Sequence, residues 1–454
     1  MNPKILFILI CLLFLFTRLY KIAEIPVSVY WDEASIGYNA YSIAQTGKDE
    51  WGEFLPLHFR AFGEFKLPVY IYTTAIFVKI FGLNEFSVRI SAVLYSLGVV
   101  ILTYLLAKKI SGNVQIGLWS SFFISISPWF FIFSRTGFEV TAGLMFYLLG
   151  IYLSLNLTKN YFILLSGLSF IFSAYSYNSF RIIIPLTILV LLVFQLKIIK
   201  KGMVKWIIFS VLLLTLSIIP IYRLFVFDAG ISRLQSIGSV SGLDFVKNYL
   251  SHFDPHFLFI AGDKNLRHQQ GGFGQLYFLD AFLLIAGLIY MFKSKTKYKW
   301  LPLIFVLLGP IPAAITKESP HALRSLSAVP FICMIVAMGA SYISRLNKNI
   351  MVFVLIAVSL SFFANYFINF LNIYPAQSAE DWQRNYKKIF TQSQEDFENQ
   401  DRILISDKGG QPYIFALFYL NYDPEKFRAE VVRNSIDKWG FSTVKKFGKF
   451  EFGE

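Results

Sequence analysis

Two adjacent carboxylates, Asp32 and Glu33, stand in the stretch "YWDEA", directly after an apolar N-terminal segment, "ILFILICLLFLFTRLY". Other ionisable residues recur near the ends of later apolar runs: Glu64 and Lys66 in "GEFKLP", Arg89, Arg135 and Glu139 in "SRTGFE", Arg181 in "YSYNSFR", and His321 and Arg324 in "TKESPHALR". Carboxylates alone would suit a cation site or a proton relay, and cations alone an anion pore. Carboxylates mixed with several Arg and Lys suit a reaction that removes a proton at one point and loses a phosphate at another. Each residue also has an ordinary structural reading. Asp32 and Glu33 are good first-turn acids for a helix, Lys66 is a snorkelling lysine, and Arg135 and Glu139, four apart, can pair with each other. His321 and Arg324 sit where a helix begins.

Composition says where such a site would lie. Of 454 residues, 56% are hydrophobic and only 15% charged, with 49 Phe and 25 Tyr; the mean hydropathy is +0.55. Apolar runs of about 18 residues or more recur, enough to cross a ~30 Å hydrocarbon core as helices. The fold class read from this is an α-helical polytopic membrane protein. Spans are expected near 4–22, 87–110, 114–133, 138–157, 161–177, 180–199, 204–226, 275–292, 298–316, 321–344 and 349–372, eleven in all. The first is read as a retained span and not a cleaved signal. Cys11 and Cys333 are the two cysteines and lie inside apolar runs, which argues against a disulfide framework.

Charge fixes the expected topology. A twelfth apolar stretch, "LPVYIYTTAIFVKIFG" at 67–82, is short and interrupted by Lys79. With this stretch lying on the membrane and the N-terminus in the cytoplasm, the inner segments carry Lys4, Lys108, Lys109, Lys159, Lys197, Lys200, Lys201, Lys205, Lys293, Lys295, Lys297, Lys299, Arg345 and Lys348, and all 28 Asp and Glu fall outside. That is the pattern of the positive-inside rule, and it accounts for the net charge of +14 without nucleic acid. The transmembrane domain is then 1–372, with large outer loops at 23–86 and 227–274. Residues 373–454 form a small soluble α/β domain outside the membrane, where "RILISDKGGQPYIFALFYLNYDP" reads as a strand, a Gly turn and an apolar helix. His256, Asp263 and His268 in the second loop could meet a metal or a sugar but read first as solvated loop residues, and no HxxxH or CxxC spacing supports zinc.

The ordered set "YWDEASIGYNAYSIAQTGKDEWGEFLPLHF", "GEFKLPVYIY", "FGLNEFSVRISAVLYSLGVVILTYLLAKKISG" and "SPWFFIFSRTGFE" resembles the polyprenyl-phosphate-dependent glycosyltransferases of the GT-C fold. It is similar to the protein O-mannosyltransferases and to the aminoarabinose transferases that modify lipid A. The resemblance is strongest over roughly residues 1–180. It implies a GT-C bundle with interfacial helices in the first outer loop. It also implies that Asp32 is the catalytic base with Glu33 beside it, and that Lys66, Arg89 and Arg324 bind the donor phosphate. Glu64, Arg135, Glu139 and His321 would contact substrate. This chain departs from the family's acidic-Lys-Pro-Pro pattern, with Leu67 before Pro68 and the acid displaced to Glu64.

The implied reaction moves a sugar from a polyprenyl-phosphate donor to an acceptor hydroxyl, on protein, lipid or glycan, with inversion. The chemistry requires no cofactor and is compatible with a divalent metal. The expected location is a prokaryotic plasma membrane. Rival readings are a transporter or flippase of lipid-linked saccharides, which would place charges near mid-membrane in repeated, interrupted helices, and a glycan polymerase or ligase using lipid-diphosphate donors. A structural or sensory protein is a further rival, and it leaves the first-loop residues unexplained.

Overall fold

The computed structural model describes residues 2–195, 200–227, 240–392, 397, 400–436 and 441–453. Lys197 and residues 228–239 of the second long loop lie outside them.

The chain begins with α1 (Pro3–Leu19), capped by the Asn2 side chain on the Lys4 N–H. A loop leads to α2 (Trp31–Thr46), which carries Asp32 and Glu33 in its first turn and ends at Gly47 in the left-handed conformation, φ 70°. A hairpin of β1 (Phe59–Arg60) and β2 (Phe65–Lys66) follows. Pro68 then opens α3 (Pro68–Phe81) from its first turn, where a missing N–H costs nothing. α3 has 14 residues, about 21 Å, short of a bilayer core. The long α4 (Glu85–Ser111) starts from an Asn84 cap, ends with Lys108 and Lys109 in its last turn, and stops at Gly112, φ 69°. Next come α5 (Val114–Ile126), α6 (Pro128–Phe131), α7 (Val140–Leu155), α8 (Phe162–Ala174) and α9 (Asn178–Gln195).

Among the described residues, five helices are long and apolar enough to cross a membrane: Glu85–Ser111, Asn178–Gln195, Lys201–Arg223, Leu326–Ile343 and Asn349–Asn372. Several expected spans are instead broken. The 114–133 stretch divides before Pro128, and 298–316 divides at Gly309-Pro310 into Leu301–Leu308 and Ile311–Ala314. Proline lacks the N–H a continuous helix needs. The expected 321–344 span is helical only from Leu326, so His321 and Arg324 lie in the turn before it.

Among the described residues, two apolar cores result. One unites the long helices, with Phe278–Lys293 packed along Val329–Ile343 and α4 against α5 and α7. The other joins α2, α3 and the start of α4 to the C-terminal residues, including Phe415, Phe418, Phe427 and Phe447. A β-carbon on Gly37 would meet Phe418 Cε2 at 2.6 Å, so only glycine permits this approach of α2 to the helix Pro412–Tyr419. The C-terminal sheet has the order β3 (Ile403–Ile405), β6 (Phe450–Phe452), β5 (Val444–Phe447), β4 (Val432–Arg433), with β3 and β6 parallel.

Candidate functional site

Neighbours on a helix point about 100° apart, and this separates Asp32 from Glu33. Asp32 faces a cavity of about 540 Å³; Glu33 turns into the core and is fully buried. Lys66, last residue of β2, brings its Nζ to 2.5 Å from Asp32 Oδ1 and also binds Glu64. Its side chain is 6% exposed and that of Asp32 is 21%. Burial alone would lower the Lys66 pKa, but the charges of Asp32 and Glu139 outweigh it and hold the pKa above the usual lysine value. Lys66 is therefore an ammonium at neutral pH.

The cavity draws on widely separated segments. Tyr30, Trp31 and Asp32 come from the start of α2, residues 62–67 from the hairpin, Phe138 and Glu139 from the approach to α7, and Ser176, Tyr177 and Asn178 from the α8–α9 turn. Asn265, Arg267 and His268 come from the second long loop; Lys317, Glu318, His321, Leu323 and Arg324 precede the helix at 329. Six residues expected from sequence thus line one space: Asp32, Glu64, Lys66, Glu139, His321 and Arg324. The Arg324 Nη1 donates to Thr316 Oγ1 at 2.7 Å, and its Nη2 lies 3.5 Å from Glu318.

Glu33, Arg89 and Arg135 do not line it. Arg89 binds both Glu33 carboxylate oxygens at 3.1 Å and donates to the carbonyls of Ile22, Pro26 and Ser28. Glu33 Oε1 also accepts the Gly137 N–H at 2.6 Å. This pair, with both side chains at 0% exposure, ties the start of α4 to the loop that launches α2. A β-carbon on Gly137 would stand 2.9 Å from Glu33 Cγ, which explains the glycine of "SRTGFE". Arg135 bonds the carbonyls of Thr17, Tyr20, Lys21 and Ile25, closing the end of α1 instead of pairing with Glu139. Arg89 as a donor-phosphate ligand and Arg135 as a substrate contact are thus replaced by structural roles in this arrangement.

Sequence reasoning misjudged the second loop. Asp263 and His268 are buried, not solvated. His268 Nδ1 lies 2.9 Å from Asp263 Oδ2, which also accepts the Ala322 N–H at 2.8 Å. Asp263, His268 and His321 can bring one ligand atom each within 4.8 Å of one another. Burial raises the Asp263 pKa, but the His268 hydrogen bond outweighs it and holds it below the usual carboxylate value. Burial, then His268 and Arg324, depress His321, which is neutral at pH 7. Two imidazoles and a carboxylate are the donor types zinc takes, and they converge only through folding, with no local spacing to announce them. Arg267, over the Tyr30 ring at 5.0 Å, is a further cation at the cavity that the sequence did not single out.

Residues 66–225 match the family of dolichyl-phosphate-mannose-protein mannosyltransferases. No curated protein matches the chain in sequence. Among solved structures it is similar to ArnT from Cupriavidus metallidurans in the apo state, with a TM-score of 0.62 at 12% identity over 92% of this chain and 84% of that one. The same protein bound to undecaprenyl phosphate matches with a TM-score of 0.62 at 11% identity, over 94% of this chain and 87% of that one. The oligosaccharyltransferase of Archaeoglobus fulgidus matches with a TM-score of 0.55 at 14% identity, over 92% of this chain and 64% of that one. At these identities the likeness shows the fold, and the fold is of the GT-C type. It is an integral-membrane architecture, as the apolar helices require.

Proposed function

We propose that this chain is a membrane glycosyltransferase that moves a sugar from a polyprenyl-phosphate donor to an acceptor hydroxyl, with inversion, on the outer face of the membrane. The observation that carries the reading is the Asp32–Lys66 ion pair on a cavity shared with Arg267 and Arg324. The family match and the undecaprenyl-phosphate complex of ArnT support the donor class. The exclusion of acidic residues from the opposite loops, where all the charged residues are Lys or Arg, supports the outer face.

Asp32 is the base. It takes the acceptor's proton as that oxygen attacks the anomeric carbon from the face opposite the phosphate. The carbon–oxygen bond to phosphate breaks, and the phosphate monoester leaves on its lipid. Lys66, Arg267 and Arg324 receive the charge that develops there. Lys66 is neutralised by Asp32 and Glu64 before donor binds. A donor phosphate competes for the ammonium and releases Asp32, so the base becomes available once donor is seated. Asp263, His268 and His321 would hold a divalent cation if one is used; it would add positive charge beside the leaving phosphate.

The test uses protein in lipid with labelled polyprenyl-phosphate sugars and an envelope acceptor fraction. Transfer by the natural chain should fall ~100-fold or more in Asp32→Asn. Equal transfer by both chains would remove Asp32 from the mechanism, and donor movement across vesicles without transfer would favour a flippase.

A further inference from the structure

Asp32 sits in the first turn of a helix that has no cap of its own: the Tyr30 side chain makes no capping hydrogen bond. The first N–H groups of a helix need a partner, and the Trp31 N–H finds one far along the chain. It donates to Gln383 Oε1 at 2.9 Å. The other end of that amide is also committed, since Gln383 Nε2 donates to the Gly409 carbonyl at 2.7 Å. Gln383 holds a φ of 50°, a region a non-glycine side chain rarely adopts. Its neighbour Trp382 is fully buried, edge-on to Tyr30 at 5.4 Å and bonded through Nε1 to the Tyr374 hydroxyl. Beside it, Gly410 leaves room for the Trp31 indole, which a β-carbon there would meet at 2.5 Å.

We infer that Gln383 is a positioning residue for the transfer reaction: it caps the helix that carries Asp32 and so sets the direction of that carboxylate. The C-terminal residues thereby complete the site without touching substrate. This rests on Asp32 being the base.

The strain at Gln383 gives a discriminating variant. Gln383→Gly removes the cap but relaxes the backbone, since glycine accepts a positive φ. It should fold with an unchanged Tm. In hydrogen exchange its peptide over 29–36 should open faster than the rest of α2. Its kcat should fall roughly tenfold or more at unaltered donor KM, because a displaced base loses rate and not binding. Gln383→Glu keeps an acceptor for the Trp31 N–H but sets its second oxygen against the Gly409 carbonyl, so it should recover part of the protection at 29–36. Natural exchange at 29–36 in Gln383→Gly would overturn the cap. Natural kcat in that variant, where Asp32→Asn is inactive, would overturn the positioning role alone. Full turnover by Asp32→Asn would overturn both readings.

Discussion

Asp32 and Glu33 are neighbours in sequence, and each meets a cation, yet the two ion pairs differ in every other respect. Glu33 and Arg89 are dry and saturated: Arg89 spends its donors on the carboxylate and three carbonyls, and Glu33 accepts Gly137 besides. Asp32 and Lys66 stand on a cavity, with a second carboxylate, Glu64, on the same ammonium. An ammonium between carboxylates can exchange a partner for a phosphate; a guanidinium enclosed by backbone has nothing to exchange. One pair is closed off by its own partners, and the other stands open to a ligand.

That contrast breaks most visibly at Arg89. Arg89→Ala leaves a buried carboxylate and three carbonyls unpaired and should cost about 3–5 kcal/mol, seen as loss of folded protein or a steep fall in Tm. A well-folded Arg89→Ala chain with damaged donor binding would reverse the assignment. Lys66→Met should do the opposite, lowering kcat/KM by ~100-fold with little change in Tm. Gly137→Ala crowds Glu33 and Val88 and should destabilise by about 1–3 kcal/mol.

The smallest effect concerns a third acid. Glu50 is buried against Asn39 and Tyr413, and burial raises its pKa to about 7, partly offset by Arg433. A carboxyl whose folded pKa exceeds its unfolded one stabilises the fold when protonated, and that contribution is lost as pH rises through about 7. Glu50→Gln should therefore raise Tm at pH 8 and change it little at pH 5. A gain of equal size at both values would show that the carboxyl does not titrate in that range.

Much of the fold was legible because crossing helices announce themselves by length and hydropathy, and because Pro and Gly mark where they stop. The start of α3 at Pro68 follows from that logic. Asp32, Lys66 and Arg324 were legible as odd polar residues at the ends of apolar runs. The direction of Arg89 was not: α4 is apolar around its circumference, so periodicity cannot say whether an arginine points to a cavity or a carbonyl cage. Asp263, His268 and His321 were missed as a set because a turn before one helix meets a loop more than fifty residues earlier only in three dimensions. Arg267 and Gln383 carry no local signature at all.

The cap on α2 also has a consequence for biogenesis. Trp31 leaves the ribosome 352 residues before its cap Gln383, and the second core needs Phe418 and Phe447 as well. The helix that carries Asp32 therefore waits for that acceptor while the hydrophobic segments between residues 31 and 383 are made. A chain cut short before residue 383 retains Asp32, Lys66 and Arg324 without the cap.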